Sequence, residues 1–380
     1  MIDNGRFHHS YILKESSMFQ VNYRLFFMLL FIALTSCQRI SNNTLEQTNI
    51  SPNQITEIDT YLSQLTQEHT FSGTVLIAQD GEKLLNKGYG LADTEKQVPN
   101  SSQTRFRVHW ITMQFTAMGI LMLQADNKLN VKDPICDTIP NCPDYWQGLT
   151  IHHLLTHTSG LSEAIHWGNQ SSDNEKSSLQ FIELIADDPP YFPPGEQFRY
   201  SMNGYIVLGH IIEQASGQPY KTFKQQRIFE PLGMKNSSFA QGESAIGYDA
   251  YGTPAPTPDL LYQFPASGLY TTVEDLFLWD QALDGDQLVS QEYLDKIFTR
   301  YARTPSMDFK DSDYGYGWFI GHLFDRPVHF HGGLTPGYTA MLMRFPSEHV
   351  TIIVLRNYGI QIYDRLEIDL AAMIFGAGPL

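Results

Sequence analysis

One stretch of sixteen residues, RFRVHWITMQFTAMGI at positions 105–120, constrains the fold more strongly than any other part of the chain. Residues 106–108 have the pattern of a short strand end, and an apolar helix follows, with its first turn near Trp110. Apolar or small residues recur there at three- and four-residue steps and mark a buried helical face: Phe115, Met118, Gly119 and Met122. A helix buried in this way needs other elements packed around it, so the stretch predicts a helix in the core.

Composition supplies enough apolar material for such a core. The chain has 380 residues, of which 42% are hydrophobic, so a sizeable folded domain is expected. The formal net charge of −16 argues against a nucleic-acid partner, because binding to phosphates requires clustered lysine and arginine. The acidic balance is expected to serve solubility.

The N-terminal region divides into three parts of different composition. Residues 1–17 are polar and aperiodic, and we predict that they form a non-functional extension. Residues 18–36 have the pattern of an export signal, since Arg24 supplies a positive charge and the apolar run at 25–34 is too short for a comfortable membrane span. Residues 37–52 are rich in Asn, Ser, Thr and Gln, and we expect them to form a flexible tether.

The predicted export signal ends in LTSC, which resembles a bacterial lipobox. Cleavage there would leave Cys37 as a lipid-modified N-terminus. The protein would then be a lipoprotein that faces the periplasm or the cell exterior, tethered to the membrane by lipid and not by a spanning helix. The alternative is an ordinary signal peptide in which the cysteine occurs by chance, and both alternatives predict export.

The other two cysteines, Cys136 and Cys142, lie close together in the loop ICDTIPNC. An exported protein meets an oxidising environment, in which a disulfide between them would persist. Pairing requires this loop to fold back far enough to bring the two Cα atoms within disulfide geometry. Two free, buried thiols are the alternative, and the sequence leaves both open.

The order of the predicted elements places strands at both ends of the domain. A first helix is followed by strands at 73–78 and 83–88, and the Asp-Gly pair at 80–81 between them is a strong hairpin signal. Four turn-linked antiparallel strands are predicted near the C-terminus: 315–321, 328–333, 338–345 and 350–357. A helix at 362–375 would close the chain and cover one face of the sheet.

The middle of the chain has a mostly helical pattern. One helix is predicted at 273–283, with Thr272 in position to cap its start. His153 and His157 lie four residues apart in LTIHHLLTHTSGL, a spacing that a metal site would accept. Because no glutamate-containing zinc motif accompanies them, we interpret both as structural histidines, and we expect neither a metal nor a cofactor.

Residues 106–118 resemble the nucleophile helix of the serine β-lactamase and penicillin-binding-protein family, in which this segment reads roughly FRxGSxTKQFTAM. The flanks match almost letter for letter, but the reactive Ser-x-x-Lys pair is lost. Trp110 stands at the serine position, Met113 stands at the lysine position, and His109 replaces the preceding glycine. In the family, the serine attacks a carbonyl carbon to form an acyl-enzyme, and the lysine helps to deprotonate the serine.

A second family motif, Tyr-x-Asn, is kept only in part. Tyr200 matches the tyrosine, but Met202 stands where the asparagine belongs. Asn203 follows one position late, and in a turn that shift is expected to point its amide elsewhere. In the family, the phenol shuttles protons and the amide holds the substrate, so the resemblance implies that the amide contact is lost here.

A third family motif, His-x-Gly on an edge strand, is matched well by His331, Gly332 and Gly333. In the family this strand binds substrate and lends a backbone N–H to the oxyanion hole. The resemblance implies that Leu334 and Trp110 would supply the two N–H groups. The backbone part of the site would then survive, although the nucleophile, the base and the amide are absent.

The resemblance extends from about residue 55 to the C-terminus, and it rests on several motifs in the same order. It implies an α+β fold of the β-lactamase and transpeptidase type, an antiparallel sheet flanked by helices and built from both ends of the chain. The domain is expected to span 53–380, with a mostly helical subdomain at about 109–262 inserted in it. The cleft would lie at the junction of sheet and subdomain.

These replacements predict a catalytically inactive member of the family, a pseudoenzyme. Three other hydroxyl residues stand near the motifs. Thr112 points to a different side of its helix and has no base, Ser201 is expected to face away, and Ser267 belongs to a turn. We expect that the cleft at most binds a peptide, a cell-wall fragment or a protein partner. The oligomeric state stays open. The alternative is an active serine-type hydrolase, an esterase, β-lactamase or D-Ala-D-Ala carboxypeptidase, that uses another nucleophile; the retained Tyr200 and His331 motivate it.

Overall fold

The computed structural model describes residues 49–162, 177–256, 264–305, 309–357 and 365–376. The predicted extension, export signal and Cys37 therefore lie outside the described residues, as does the predicted tether except for its last four positions. Asn49–Leu380 form one compact unit. Among the residues described, no helix is both long enough and apolar enough to cross a membrane.

An antiparallel sheet of eight strands forms the centre of the described fold, in the order β2-β1-β12-β11-β10-β9-β8-β7. In chain order the strands are β1 (Gly73–Gln79), β2 (Glu82–Tyr89), β3 (Leu91–Asp93), β4 (Val98–Pro99), β5 (Phe106–Arg107), β6 (Tyr270–Thr271), β7 (Ala302–Arg303), β8 (Lys310–Tyr314), β9 (Phe319–Leu323), β10 (Arg326–Thr335), β11 (Tyr338–Phe345) and β12 (Val350–Arg356). Strands β3 and β4 form one small ribbon, and β5 and β6 form another. The pairing of β1 with β12 joins the two ends of the domain, as the resemblance implies.

The hairpin predicted from the Asp-Gly pair is confirmed. Strands β1 and β2 pair antiparallel across a turn in which Asp80 has φ 51° and Gly81 has φ 79°. A two-residue turn of this hand needs positive φ at both central positions, which glycine and aspartate adopt more readily than most residues.

The four predicted C-terminal strands correspond to β9, β10, β11 and β12, but not in every bound, and β7 and β8 were not predicted. The strand predicted at 315–321 is wrong in its first half, because residues 315–318 form the turn between β8 and β9. Gly317 has φ 78°, and an added Cβ there would lie 3.0 Å from the carbonyl oxygen of Met113. Strand β8 was not predicted, because KDSDY is polar and lies near the sheet edge with its first two residues exposed.

The described helices lie on both faces of the sheet and mostly between β5 and β7. In chain order they are α1 (Pro52–Gln67), α2 (Thr112–Ala125), α3 (Ile151–Leu155), α4 (Ser178–Ile185), α5 (Met202–Ser216), α6 (Tyr220–Lys224), α7 (Glu230–Leu232), α8 (Phe264–Ser267), α9 (Val273–Ala282), α10 (Gln291–Ile297) and α11 (Leu366–Ile374). A 3-10 turn at His109–Ile111 leads directly into α2. The separate helical subdomain predicted at 109–262 stays a prediction.

Local signals account for several helix starts. The hydroxyl of Thr272 accepts the backbone N–H of Asp275 at 3.1 Å, which confirms the predicted cap of α9. Ser51 forms a capping box with Gln54 at the start of α1. Helix α11 begins at Leu366, within the range predicted for the closing helix.

The loop after α2 contains a disulfide between Cys136 and Cys142, whose Cα atoms are 5.3 Å apart. Of the two alternatives that the sequence leaves open, the structure therefore has the bridge. Both residues pack against the main core cluster.

Helix α2 is buried on all sides, since residues 112–123 are all buried. It packs against α5, α8 and the preceding turn, which explains why its sequence is apolar almost throughout. The buried helix predicted from the opening stretch is therefore confirmed, although it begins at Thr112, two residues after Trp110.

One buried charge-bearing side chain packs against α2. Lys224 is 0% exposed, and its Nζ donates a hydrogen bond of 2.7 Å to the carbonyl oxygen of Phe115. Gly119 makes room for it, because an added Cβ would lie 2.0 Å from that Nζ. Burial lowers the pKa of Lys224 well below its ordinary value, which favours the neutral amine in the core.

We predict that Lys224→Met raises the free energy of unfolding at pH 7 by about 1–3 kcal/mol, because an apolar side chain carries no desolvation penalty.

The unfolded chain binds a proton at this lysine up to about pH 10, whereas the folded chain does not. Folding therefore releases a proton, and the stability of the wild type should rise with pH between about 7 and 10. Urea unfolding across that range would show a smaller slope for Lys224→Met, with Lys235→Met, at an exposed lysine, as the matched control. An unchanged slope would contradict the neutral amine.

Candidate functional site

A cleft of about 470 Å³ opens between the 3-10 turn His109–Ile111 and the strands β10 and β11. Its volume is in the range of small-molecule sites. The described residues that line it are Trp110, Phe198, Tyr200, Pro305, Phe319, His331, Gly332, Gly333, Leu334, Thr339, Ala340, Met341, Arg356 and Glu367. The cleft thus brings together residues from all three motif segments that the sequence singled out.

Trp110 lies in the cleft lining at the serine position of the family motif. Its indole packs edge-on against the ring of Tyr200, with centroids 5.6 Å apart, and against the imidazole of His109 at 4.9 Å. The indole Nε1 is buried, and no described residue accepts a hydrogen bond from it. A large aromatic side chain therefore occupies the place where the reactive hydroxyl would stand.

The approach of β10 to this turn is close. An added Cβ at Gly333 would lie 2.1 Å from the carbonyl oxygen of Val108 and 3.3 Å from the backbone nitrogen of Trp110. A larger residue at this position would push the strand away from the turn. Gly333 is thus the residue that lets the two sides of the cleft meet.

The backbone of His109 has φ 45°, in the left-handed region, at the position where the family pattern has glycine. A residue with a side chain held in this region costs on the order of 1 kcal/mol relative to glycine. The imidazole is buried, and burial, with smaller contributions from Arg107 and His331, lowers its pKa to about 3. His109 is therefore neutral at pH 7.

Met113 is fully buried and stands at the lysine position. The hydroxyl of Tyr200 donates a hydrogen bond to its Sδ at 3.1 Å, and a thioether is a weak acceptor that takes no proton. Burial, together with the nearby Tyr205, raises the pKa of Tyr200 well above its ordinary value. Neither partner of this contact can serve as a base at neutral pH.

Met202 begins helix α5, is 6% exposed, and belongs to the same buried core cluster as Met113. Asn203 is also buried, and its amide donates to the hydroxyl of Ser162 at 2.8 Å. Neither side chain is part of the described cleft lining. Ser201 caps α5, with its hydroxyl accepting the N–H of Gly204 at 3.1 Å.

His331 keeps the first position of the third motif, but both of its ring nitrogens are occupied. Nδ1 lies 2.7 Å from the carbonyl oxygen of Gly332, and since a carbonyl can only accept, Nδ1 carries the proton. Nε2 then accepts from the hydroxyl of Tyr314 at 3.1 Å. Burial lowers the pKa of His331 to about 4, so the ring is neutral at pH 7.

The two histidines with a metal-like spacing have structural partners. Nδ1 of His153 accepts the N–H of Thr150 at 3.2 Å in a capping box at the start of α3. Nδ1 of His157 accepts the N–H of Ser201 at 3.0 Å, and its ring lies 4.3 Å from that of Tyr200. His157 therefore positions the start of α5, a role that the sequence did not reveal.

Two hydroxyl groups near the cleft, those of Thr112 and Thr339, have no hydrogen bond to a base among the described residues. Thr112 is fully buried, with its Oγ1 donating to the carbonyl of His109 at 2.5 Å and accepting the N–H of Leu269 at 3.2 Å. Ser267 is also fully buried. Thr339 lines the cleft, but no described residue hydrogen-bonds to its Oγ1. A hydroxyl without a neighbouring base is a poor nucleophile at neutral pH.

An ion pair closes part of the cleft. Arg356 on β12 donates to the carboxylate of Glu367 on α11, and both residues are more than nine-tenths buried. Sequence reasoning missed these two residues, together with Phe198, Phe319 and Met341, because strand pairing and helix packing bring them to the cleft from distant segments. No local pattern marks them.

Comparison with known proteins shows the family to which the chain belongs. The model of the family described as Beta-lactamase matches residues 58–369. Penicillin-binding protein 4* of Bacillus subtilis (strain 168) is 29% identical over 330 residues, which cover 80% of this chain and 72% of that protein. The putative penicillin-binding protein PbpX of the same organism is 30% identical over 302 residues, covering 77% of this chain and 72% of that one.

Solved structures give the same result for the fold. The octameric penicillin-binding protein homologue from Pyrococcus abyssi superimposes with a TM-score of 0.77 at 27% identity, over 86% of this chain and 78% of that chain. The predicted antiparallel sheet with flanking helices is therefore confirmed.

We predict that Tyr200→Phe lowers the free energy of unfolding by no more than about 0.5 kcal/mol, because the lost hydrogen bond goes to a weak thioether acceptor. Tyr205→Phe is the matched control, since the Tyr205 hydroxyl donates to the carbonyl oxygen of Leu155 at 2.9 Å and should cost about 1 kcal/mol. Urea unfolding of both variants checks the difference. A larger loss for Tyr200→Phe than for Tyr205→Phe would contradict the assigned acceptor.

Proposed function

The chain belongs to the β-lactamase family, and from this premise we propose that it is a member without acyl-enzyme chemistry. The observation that carries the proposal is the hydrogen bond from the Tyr200 hydroxyl to the sulfur of Met113. In the family, a lysine at that position helps to deprotonate the serine. Here the same place holds a side chain that cannot accept a proton.

The loss of nucleophile and base together removes the chemical step. A serine alkoxide is difficult to form at pH 7 without a base within hydrogen-bond reach. Removing the nucleophile or the base of a serine hydrolase lowers turnover by about a millionfold. Leu334 and Trp110 line the cleft, and the resemblance implies that their backbone N–H groups form an oxyanion hole, but such a hole alone leaves a rate too small to sustain turnover.

The replacements are consistent with each other in a way that supports the proposal. Loss of all three family side chains together avoids the cost, about 1–3 kcal/mol, that removal of a single member of a polar network imposes on its partners. Met113 and Met202 bring no N–H or O–H group, and the indole Nε1 of Trp110 is buried without an acceptor among the described residues. Met113 and Met202 pack in one buried cluster, and Trp110 packs against that cluster. The site has been converted as a unit from a polar network to apolar packing.

The alternative is an active serine-type hydrolase that uses another nucleophile. The observation in its favour is Thr339, an aliphatic hydroxyl in the cleft lining beside the retained Tyr200 and His331. Its Oγ1 has no hydrogen-bonding base among the described residues, and the two ring nitrogens of His331 are both engaged. These contacts favour the inactive assignment.

A binding role is the activity that remains for such a cleft, with a peptide, a cell-wall fragment or another small molecule as the ligand.

We further propose that the protein acts outside the cytoplasm, held to a membrane by lipid on Cys37, because LTSC follows an apolar segment with a preceding positive charge. Expression with Cys37→Ser should move the protein from the membrane fraction to the soluble fraction. Unchanged membrane association of Cys37→Ser would contradict the lipid anchor.

We predict that the purified chain forms no covalent adduct with a reactive fluorescent penicillin or an activated ester, as measured by intact mass. The triple variant Trp110→Ser, Met113→Lys, Met202→Asn should become acylated, because it regains nucleophile, base and amide in the family's positions. The matched control, Trp110→Ala with the same two other substitutions, has no hydroxyl and should stay unlabelled. An adduct on the unaltered chain would refute the proposal, and peptide mapping would test Thr339 as its site.

A further inference from the structure

The formal charges in the described cleft lining neutralise each other. Among the described lining residues, the side chains that carry formal charge are Arg356 and Glu367, and they form an ion pair with each other. The other titratable groups in the lining, His331 and Tyr200, are neutral at pH 7, because burial lowers the pKa of the first and raises that of the second. The described lining therefore offers a ligand no net charge.

The rest of the lining is apolar and largely aromatic. The rings of Trp110, Phe198, Tyr200 and Phe319 all contribute, and those of Tyr200 and Phe319 are parallel to within 5° at a centroid distance of 6.4 Å. Aromatic side chains attract apolar ligands through their buried area and ligand rings through stacking. A charged group loses its bound water when it enters such a cleft, and apolar walls offer it no hydrogen bonds in return.

The hydroxyl of Thr339 adds no accessible polar group to these walls, because its Oγ1 is buried. Thr339 lies directly opposite Arg356 in the pairing of β11 with β12. The described lining therefore matches a ligand with an aromatic body and no formal charge.

From this complementarity we propose that the cleft binds uncharged aromatic small molecules and discriminates against anionic molecules of the same shape. The proposal rests on the proposed function, because it names the ligand class of that same site. The volume of about 470 Å³ fits a small molecule. A carboxylate or sulfonate would have to leave water for a described lining in which the one formally charged cation, Arg356, is already paired with Glu367.

Two dyes with nearly the same body provide the test. N-phenyl-1-naphthylamine is neutral, whereas 8-anilinonaphthalene-1-sulfonate adds a sulfonate to the same ring system, and both become fluorescent in apolar sites. We expect the neutral dye to bind the full-length chain with a Kd at least about tenfold lower than that of the sulfonate, since burying an unpaired charge opposes binding. Equal affinities, tighter binding of the sulfonate, or no binding of either dye would overturn the proposal.

A charge placed in the cleft should change this preference. Leu334 is partly exposed in the lining, and Leu334→Arg adds a cation there, which should reduce or reverse the dye ratio by supplying a partner for the sulfonate. Leu278→Arg adds the same charge at an exposed site on α9, outside the described cleft lining, and should leave the ratio unchanged. If both variants shift the ratio equally, the dyes respond to net charge and the proposal fails.

Dye binding tests the proposed ligand class, and intact mass tests the proposed absence of acyl-enzyme chemistry, so the two proposals can fail separately. Dye binding is non-covalent, so a wrong ligand class would appear as a wrong affinity ratio while intact mass still showed no acyl adduct. An acyl adduct on the unaltered chain would refute the proposed function without changing the measured dye ratio.

Discussion

The cleft depends on the contact between strand β10 and the turn that precedes helix α2. Gly333 lies so close to the carbonyl of Val108 that a side chain at this position would collide with it. Trp110, in the turn before α2, and Leu334, near the end of β10, both line the cleft. The close approach of these two segments brings the two sides of the cleft together.

Those side chains no longer form a polar network. Tyr200 is held by the ring of His157 on one side and reaches the sulfur of Met113 with its hydroxyl. The imidazole of His331 remains, but Tyr314 and the backbone of Gly332 occupy both of its nitrogens. These contacts support the proposed absence of acyl-enzyme chemistry, because the described partners of Tyr200 and His331 leave neither side chain free to move a proton.

Local signals in the sequence were sufficient for part of the fold. The Asp-Gly turn between β1 and β2 and the Thr272 cap of α9 depend on a few consecutive residues, and both are confirmed. Strand β8 was missed because an exposed strand near a sheet edge has no apolar alternation to detect. The family was predictable because several motif segments resemble its pattern in the same order, and the family match confirms it; the positions assigned to the degenerate motifs stay a prediction.

The polarity and the charge state of the cleft residues could not be predicted from local sequence signals. Met113 and Tyr200 are 87 residues apart, and Arg356 meets Glu367 only because β12 and α11 pack together. The neutral state of His331 follows from its burial, which depends on the whole sheet. Such properties arise from long-range packing, and no short segment encodes them.

The most direct test of the inert site uses an electrophile that does not depend on substrate class. A fluorophosphonate reacts with any hydroxyl that a neighbouring base activates, whether the natural substrate is a lactam, a peptide or an ester. If the site lacks an activated nucleophile, the folded chain treated with the fluorophosphonate should gain no more mass than the heat-unfolded chain treated in the same way. A stoichiometric adduct formed only by the folded chain would contradict the account and would locate the nucleophile that the described residues do not reveal.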